Sequence, residues 1–166
     1  HCGGYLTQED EDSLERFFEM LYEEIARRKK LLAQADVSSF DSYPDRSAMP
    51  LLLVVVHQLA GLTGSKMGPR LNWSELLREC AAYGIKFVIS ANFINEANSK
   101  LKQEIGSRLA LHSKDRFTYG EILGQKVTYL PADRPGRGLC VIEGRPLEFH
   151  GAVAPSGSEL RSSLEQ

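Results

Sequence analysis

The stretch Met49–Leu62, MPLLLVVVHQLAGL, decides how the rest of the chain is read. Leu51 to Val56 form an unbroken apolar run between Pro50 and the polar pair His57-Gln58. A run of that length, rich in Val and Leu, suits a strand buried on both faces, as in parallel sheets. The polar pair then stands at the carboxyl end of the strand. Open α/β sheets hold ligands in the crevice just beyond such ends. What a His and a Gln can do in that place is therefore the question on which function turns.

Downstream of the strand, Gly61–Arg70 carries three glycines and Pro69 and reads as a flexible loop. Asn72 or Ser74 then caps a helix that runs to about Tyr83, with Trp73, Leu76, Leu77 and Cys80/Ala81 on one face. Gly84 supplies a left-handed stop. Ile85–Ala91, IKFVISA, reads as a second buried strand, and Asn92 follows its end. Upstream, Val37–Met49 is a polar connector. Before it, Leu14, Phe17, Phe18, Leu21 and Ile25 recur at helical spacing, with Leu31 and Leu32 continuing the stripe. Thr7 followed by Asp10 resembles a capping box, so a long helix is expected from about Gln8 to about Ala35. Glu23 with Arg27 and Glu24 with Arg28 are four-residue pairs in the favourable order. The run Arg27-Arg28-Lys29-Lys30 reads as a solvated helix end, with cations near the negative pole, in preference to a phosphate contact.

Beyond the second strand, Asn95–Ile105 is a short helix or an irregular segment. Arg108–His112 is a third strand candidate, and Tyr119–Leu123 reads as a helical turn. Val127–Leu130, Leu139–Ile142 and Leu147–His150 look like short strands separated by turns. The tail from Pro155 should fray. Helices alternating with apolar strands imply an α/β fold with parallel central strands.

Composition narrows the function classes. The chain has 166 residues, 42% hydrophobic and 25% charged, as in an ordinary soluble globular protein. A net charge of −2 is no electrostatic footprint for wholesale nucleic-acid binding. Cys2, Cys80 and Cys140 are far apart and odd in number, which argues against zinc and for a reducing compartment. No apolar run approaches the roughly 20 residues that span a bilayer. The start, His1-Cys2-Gly3-Gly4-Tyr5, lacks the charged and apolar regions of a signal peptide, and the missing Met fits a piece of a larger protein.

Nucleotide-hydrolysing α/β proteins need a phosphate-cradling loop and a carboxylate that positions magnesium at a neighbouring strand end. G-x-x-x-x-G-K-[ST] has no match here. The nearest imitation, Gly61-Leu62-Thr63-Gly64-Ser65-Lys66-Met67, has the wrong spacing, and its lysine precedes Met. Where the carboxylate should stand are His57 and Gln58. Imidazole is a poor ligand for magnesium, which prefers oxygen. An amide cannot take a proton from water as Glu would. His112 and His150 end strand candidates, and no serine sits in a G-x-S-x-G elbow.

These residues resemble a known family. Leu51–Leu62 resembles the Walker B strand of FtsK/SpoIIIE-type P-loop ATPases, with His57 and Gln58 in the two acidic places. Ala82–Asn92 is similar to the strand that ends in that family's polar sensor, and Asn92 takes the sensor place. Ile105–Leu111, Ile122-Leu123-Gly124, Pro135-Gly136-Arg137-Gly138 and Glu148–Ala152 resemble the closing strand region. The resemblance is greatest to degenerate domains of the multi-ATPase protein of type VII (ESX) secretion. It implies a RecA-like, mostly parallel α/β sheet over residues 1–154, lacking the P-loop half, and a flexible tail at 155–166. It also implies a family chemistry of ATP and magnesium, with no cofactor expected for this chain and no catalytic residue, the degenerate positions being His57, Gln58 and Asn92. Neighbouring ATPase domains and small helical secreted proteins are the implied partners. DNA is the lesser alternative, and a homo-oligomer stays open. The implied place is the cytoplasmic side of a membrane-anchored complex. In this fold type the P-loop strand lies between the sensor strand and the next one. Ile85–Ala91 and Arg108–His112 therefore either flank a vacancy or pair directly.

Overall fold

A computed structural model describes residues 3–7, 9–63 and 72–152. The chain folds as two compact units, divided between Glu104 and Ile105. The expected fraying tail from Pro155 and most of the glycine loop lie outside the described residues.

The first unit begins with helix α1, Glu11–Gln34. Its cap is Asp10, whose carboxylate accepts the Ser13 N–H at 3.1 Å. Thr7 offers only its backbone carbonyl, to the Asp10 N–H, so the helix starts later than the capping-box reading placed it. Asp10 wins because a carboxylate caps well and adds negative charge at the positive helix pole. Leu14, Phe18, Leu21, Ile25 and Leu32 form the buried stripe. Phe18 meets Trp73 edge to face at 5.8 Å between ring centres.

Arg28 belongs to the same stripe and is only 1% exposed. The solvated reading of Arg27–Lys30 is therefore wrong at this residue. Its guanidinium donates to Glu24 Oε1 at 2.6 Å, to the Tyr83 carbonyl at 2.8 Å and to the Pro50 carbonyl at 2.8 Å. A further bond reaches the Gly84 carbonyl at 3.3 Å. One fork of five donors thus satisfies backbone acceptors at the entrances to both strands, which burial would otherwise leave unpaired.

Strands β1 (Leu52–Val56) and β2 (Ile85–Ile89) run parallel, with Leu52 opposite Ile85 and Val56 opposite Ile89. They are joined through α2 (Leu59–Thr63) and α3 (Trp73–Ala82). Asn72 caps α3, and Trp73, Leu76, Leu77 and Cys80 are buried, as their spacing predicts. Gly84 has φ +74°, and a Cβ there would run into the Phe40 ring, so glycine is required twice over. Arg46 lies over the Phe40 ring, 4.2 Å from its centre.

The expectation of a strand buried on both faces fails. Val54 and Ile85, on the covered face, are 9% and 0% exposed. On the opposite face Leu53 is 57%, Val55 65% and Val88 54% exposed, with Leu51 also bare. The apolar run was read as an unbroken whole, but strand side chains alternate, and among the described residues only one side of this sheet is covered. Helix α4 (Ser99–Glu104) closes the first unit.

The second unit is antiparallel throughout. Strand β3 (Leu109–Ala110), helix α5 (Arg116–Leu123), and strands β4 (Arg137–Ile142) and β5 (Arg145–His150) follow in order. The sheet order is β3-β4-β5. Among the described residues β1 and β2 make the sheet of the first unit, and β3, β4 and β5 that of the second. Ala110, Tyr119, Leu123, Val127 and Leu139 make the core. The Tyr119 hydroxyl accepts the Ser113 N–H at 3.1 Å, which settles a polar group inside it. Glu143 and Gly144, both at positive φ (50° and 75°), form the tight turn between β4 and β5. Val127–Leu130 is not a strand. Val127 is spent on the core, and Tyr129 donates its hydroxyl to the Pro146 carbonyl at 3.0 Å.

Candidate functional site

The two parallel strands end side by side at His57 and Ser90. The strand register continues past its last pair, Val56 opposite Ile89. The Ser90 N–H donates to the Val56 carbonyl at 2.9 Å, and the Leu59 N–H donates to the Ser90 carbonyl at 2.8 Å. Side-chain bonds tighten the same crossing. The Gln58 N–H donates to Ser90 Oγ at 3.0 Å, and His57 Nδ1 lies 3.1 Å from that oxygen. The hydroxyl can accept the amide proton and still donate its own proton to Nδ1. That arrangement leaves Nε2 as the ring atom available to other groups.

Gln58 sits at φ +58°, a left-handed conformation rare for a residue with a side chain. The turn places Leu59 at the head of α2, where it is buried. The Ser90 bonds hold this bend in place. Ser90 is the residue that sequence reading passed over. Its signal is one of register: the thirty-three-residue offset that pairs β1 with β2 also pairs His57 with Ser90. That offset is invisible until the pairing is known.

His57, Gln58 and Asn92 are all exposed. His57 and Gln58 are brought together by the chain itself and by Ser90. Asn92 lies two residues beyond Ser90, and among the described residues none of the bonds that fasten the strand ends involves it. The next residue, Phe93, is 70% exposed, and its N–H is held by Glu96 Oε1 at 3.1 Å.

The donor set at this place is one imidazole, one primary amide and one hydroxyl. Magnesium asks for hard, preferably anionic oxygens in octahedral array, and this set does not fit it. Nor do three His, Cys, Asp or Glu side chains converge anywhere among the described residues. The phosphate-loop imitation gives no more: Gly61-Leu62-Thr63 belong to α2, and Gly64–Met67 lie outside the described residues. In the second unit His112 Nδ1 lies 3.4 Å from Asp133 Oδ1 on the surface. Burial pushes the Cys80 thiol up to about 11, so it remains an inert core residue.

No protein-family model matches the chain. Its full length aligns at 22% identity over 170 residues with the type VII secretion system protein EssC of Staphylococcus aureus strain Mu50. The chain spans 11% of that relative's length. The chain is homologous to a segment of EssC. The solved structure of EssC (ATPases 2 and 3) from Geobacillus thermodenitrificans is similar to it with a TM-score of 0.75 at 18% identity. That match covers 94% of this chain and 30% of the other. The pCW3 conjugation coupling protein TcpA, solved with ATPγS, matches with a TM-score of 0.69 at 20% identity. It covers 84% of this chain and 44% of that one. The fold is that of RecA-like P-loop ATPase domains, as the Walker B frame implied.

Proposed function

We propose that this chain is a non-catalytic ATPase-like domain of a type VII secretion motor, working by contact with a neighbouring ATPase domain. The observation that carries the reading is the strand-end donor set. His57 and Gln58 replace two carboxylates, and His57 Nδ1 and the Gln58 N–H are already engaged by Ser90. Without an anionic oxygen the site has no means of positioning magnesium, and without a carboxylate it has no base for the attacking water. Catalysis of phosphoryl transfer is mostly such positioning, so its loss removes turnover.

The bare sheet face supports the contact role. Leu51, Leu53, Val55 and Val88 stand exposed side by side, and parallel sheets are normally covered on both faces. A second ATPase domain of the same motor is the occupant proposed. Among the described residues no helix is long and apolar enough to cross a membrane, which suits a domain on the cytoplasmic side of an anchored machine.

The test pairs the chain with the adjoining ATPase domain of its parent protein and measures association by analytical ultracentrifugation. Leu53→Lys and Val55→Lys together should weaken association at least tenfold while leaving the chain folded. Unchanged association would overturn the docking role. The likeness to TcpA favours a second reading, a part in moving DNA. That reading requires duplex binding whose affinity falls steeply with salt. The net charge of −2 speaks against it, and binding that is absent at low salt would dismiss it.

A further inference from the structure

We draw no further inference here: the strongest candidate, the row of carboxylates Glu15, Glu19 and Glu23 along the exposed side of α1, is a cluster of acidic side chains with nothing beside it that points to a ligand.

Discussion

Arg28 shows how much one side chain can hold. Its position is set by periodicity: it falls three residues after Ile25 and four before Leu32, on the stripe that faces inward. A buried guanidinium is tolerable only when its donors are used, and here they close the backbone of two strand entrances. Removing it takes one of two guanidinium partners from the Glu24 carboxylate, which Arg27 still holds, and withdraws the donors that reach the Tyr83 and Pro50 carbonyls. Arg28→Met should therefore cost about 2–4 kcal/mol in urea unfolding, from buried carbonyls that lose their donors. Arg27→Ala, at a side chain 47% exposed, should cost about 1 kcal/mol or less. Equal effects would refute this assignment of roles. Glu24 extends the argument to pH. Hydrogen bonds from Arg27 and then Arg28 lower its carboxyl from 4.5 to about 2. A group depressed on folding contributes stability that is fully present above its unfolded value and is lost as pH falls through the folded one. Thermal stability should thus fall progressively as pH drops from 4.5 to about 2, and Glu24→Gln should flatten the curve in that window. The same register logic explains what the sequence did not disclose. The run Arg27–Lys30 looks like one solvated block when composition is read, and Arg28 separates from it only when the helical phase is imposed. Ser90 separates only when the strand pairing is known.

At the scale of elements, the helices were the more legible. The stripes of α1 and α3 lie where their spacing put them, because one buried face leaves a 3.6-residue signature. Strands were legible in place and less so in environment. The run Leu51–Val56 does form β1, yet its two faces meet different surroundings. An apolar residue on an uncovered face reads the same in a sequence as one in a core. Val127–Leu130 failed for a related reason: a short apolar run can be consumed by a core without joining a ladder. The contrast between adjacent β1 residues can be measured. Burying a Val side chain is worth roughly 1.5–3 kcal/mol, so Val54→Ala should lower stability by that order. Val55→Ala, at a position 65% exposed, should change it by less than about 0.5 kcal/mol. Comparable losses at both positions would show that the outer face is covered in solution.

At the scale of the molecule, two features have to be explained together. The chain keeps the fold of a RecA-like ATPase domain, including the parallel strand pair. On the proposal made here, His57 and Gln58 at the end of that pair stand in the places of two carboxylates, and an apolar sheet face is left bare. On that proposal, a domain that retains the shape without the carboxylates is suited to holding neighbours in place. The frame could be read from residues 49–62 and 82–92, because apolar strands with polar ends are local patterns. The antiparallel make-up of the second unit could not, because the pairing of β3 with β4 joins residues some thirty apart.

The most direct measurement is isothermal titration of the purified chain with ATP, with and without magnesium. The expected result is no magnesium-dependent heat at protein concentrations of tens of micromolar, for the native chain and for Gln58→Ala alike. Saturable binding that needs magnesium and disappears in Gln58→Ala would contradict the claim that these strand ends no longer hold a metal–nucleotide.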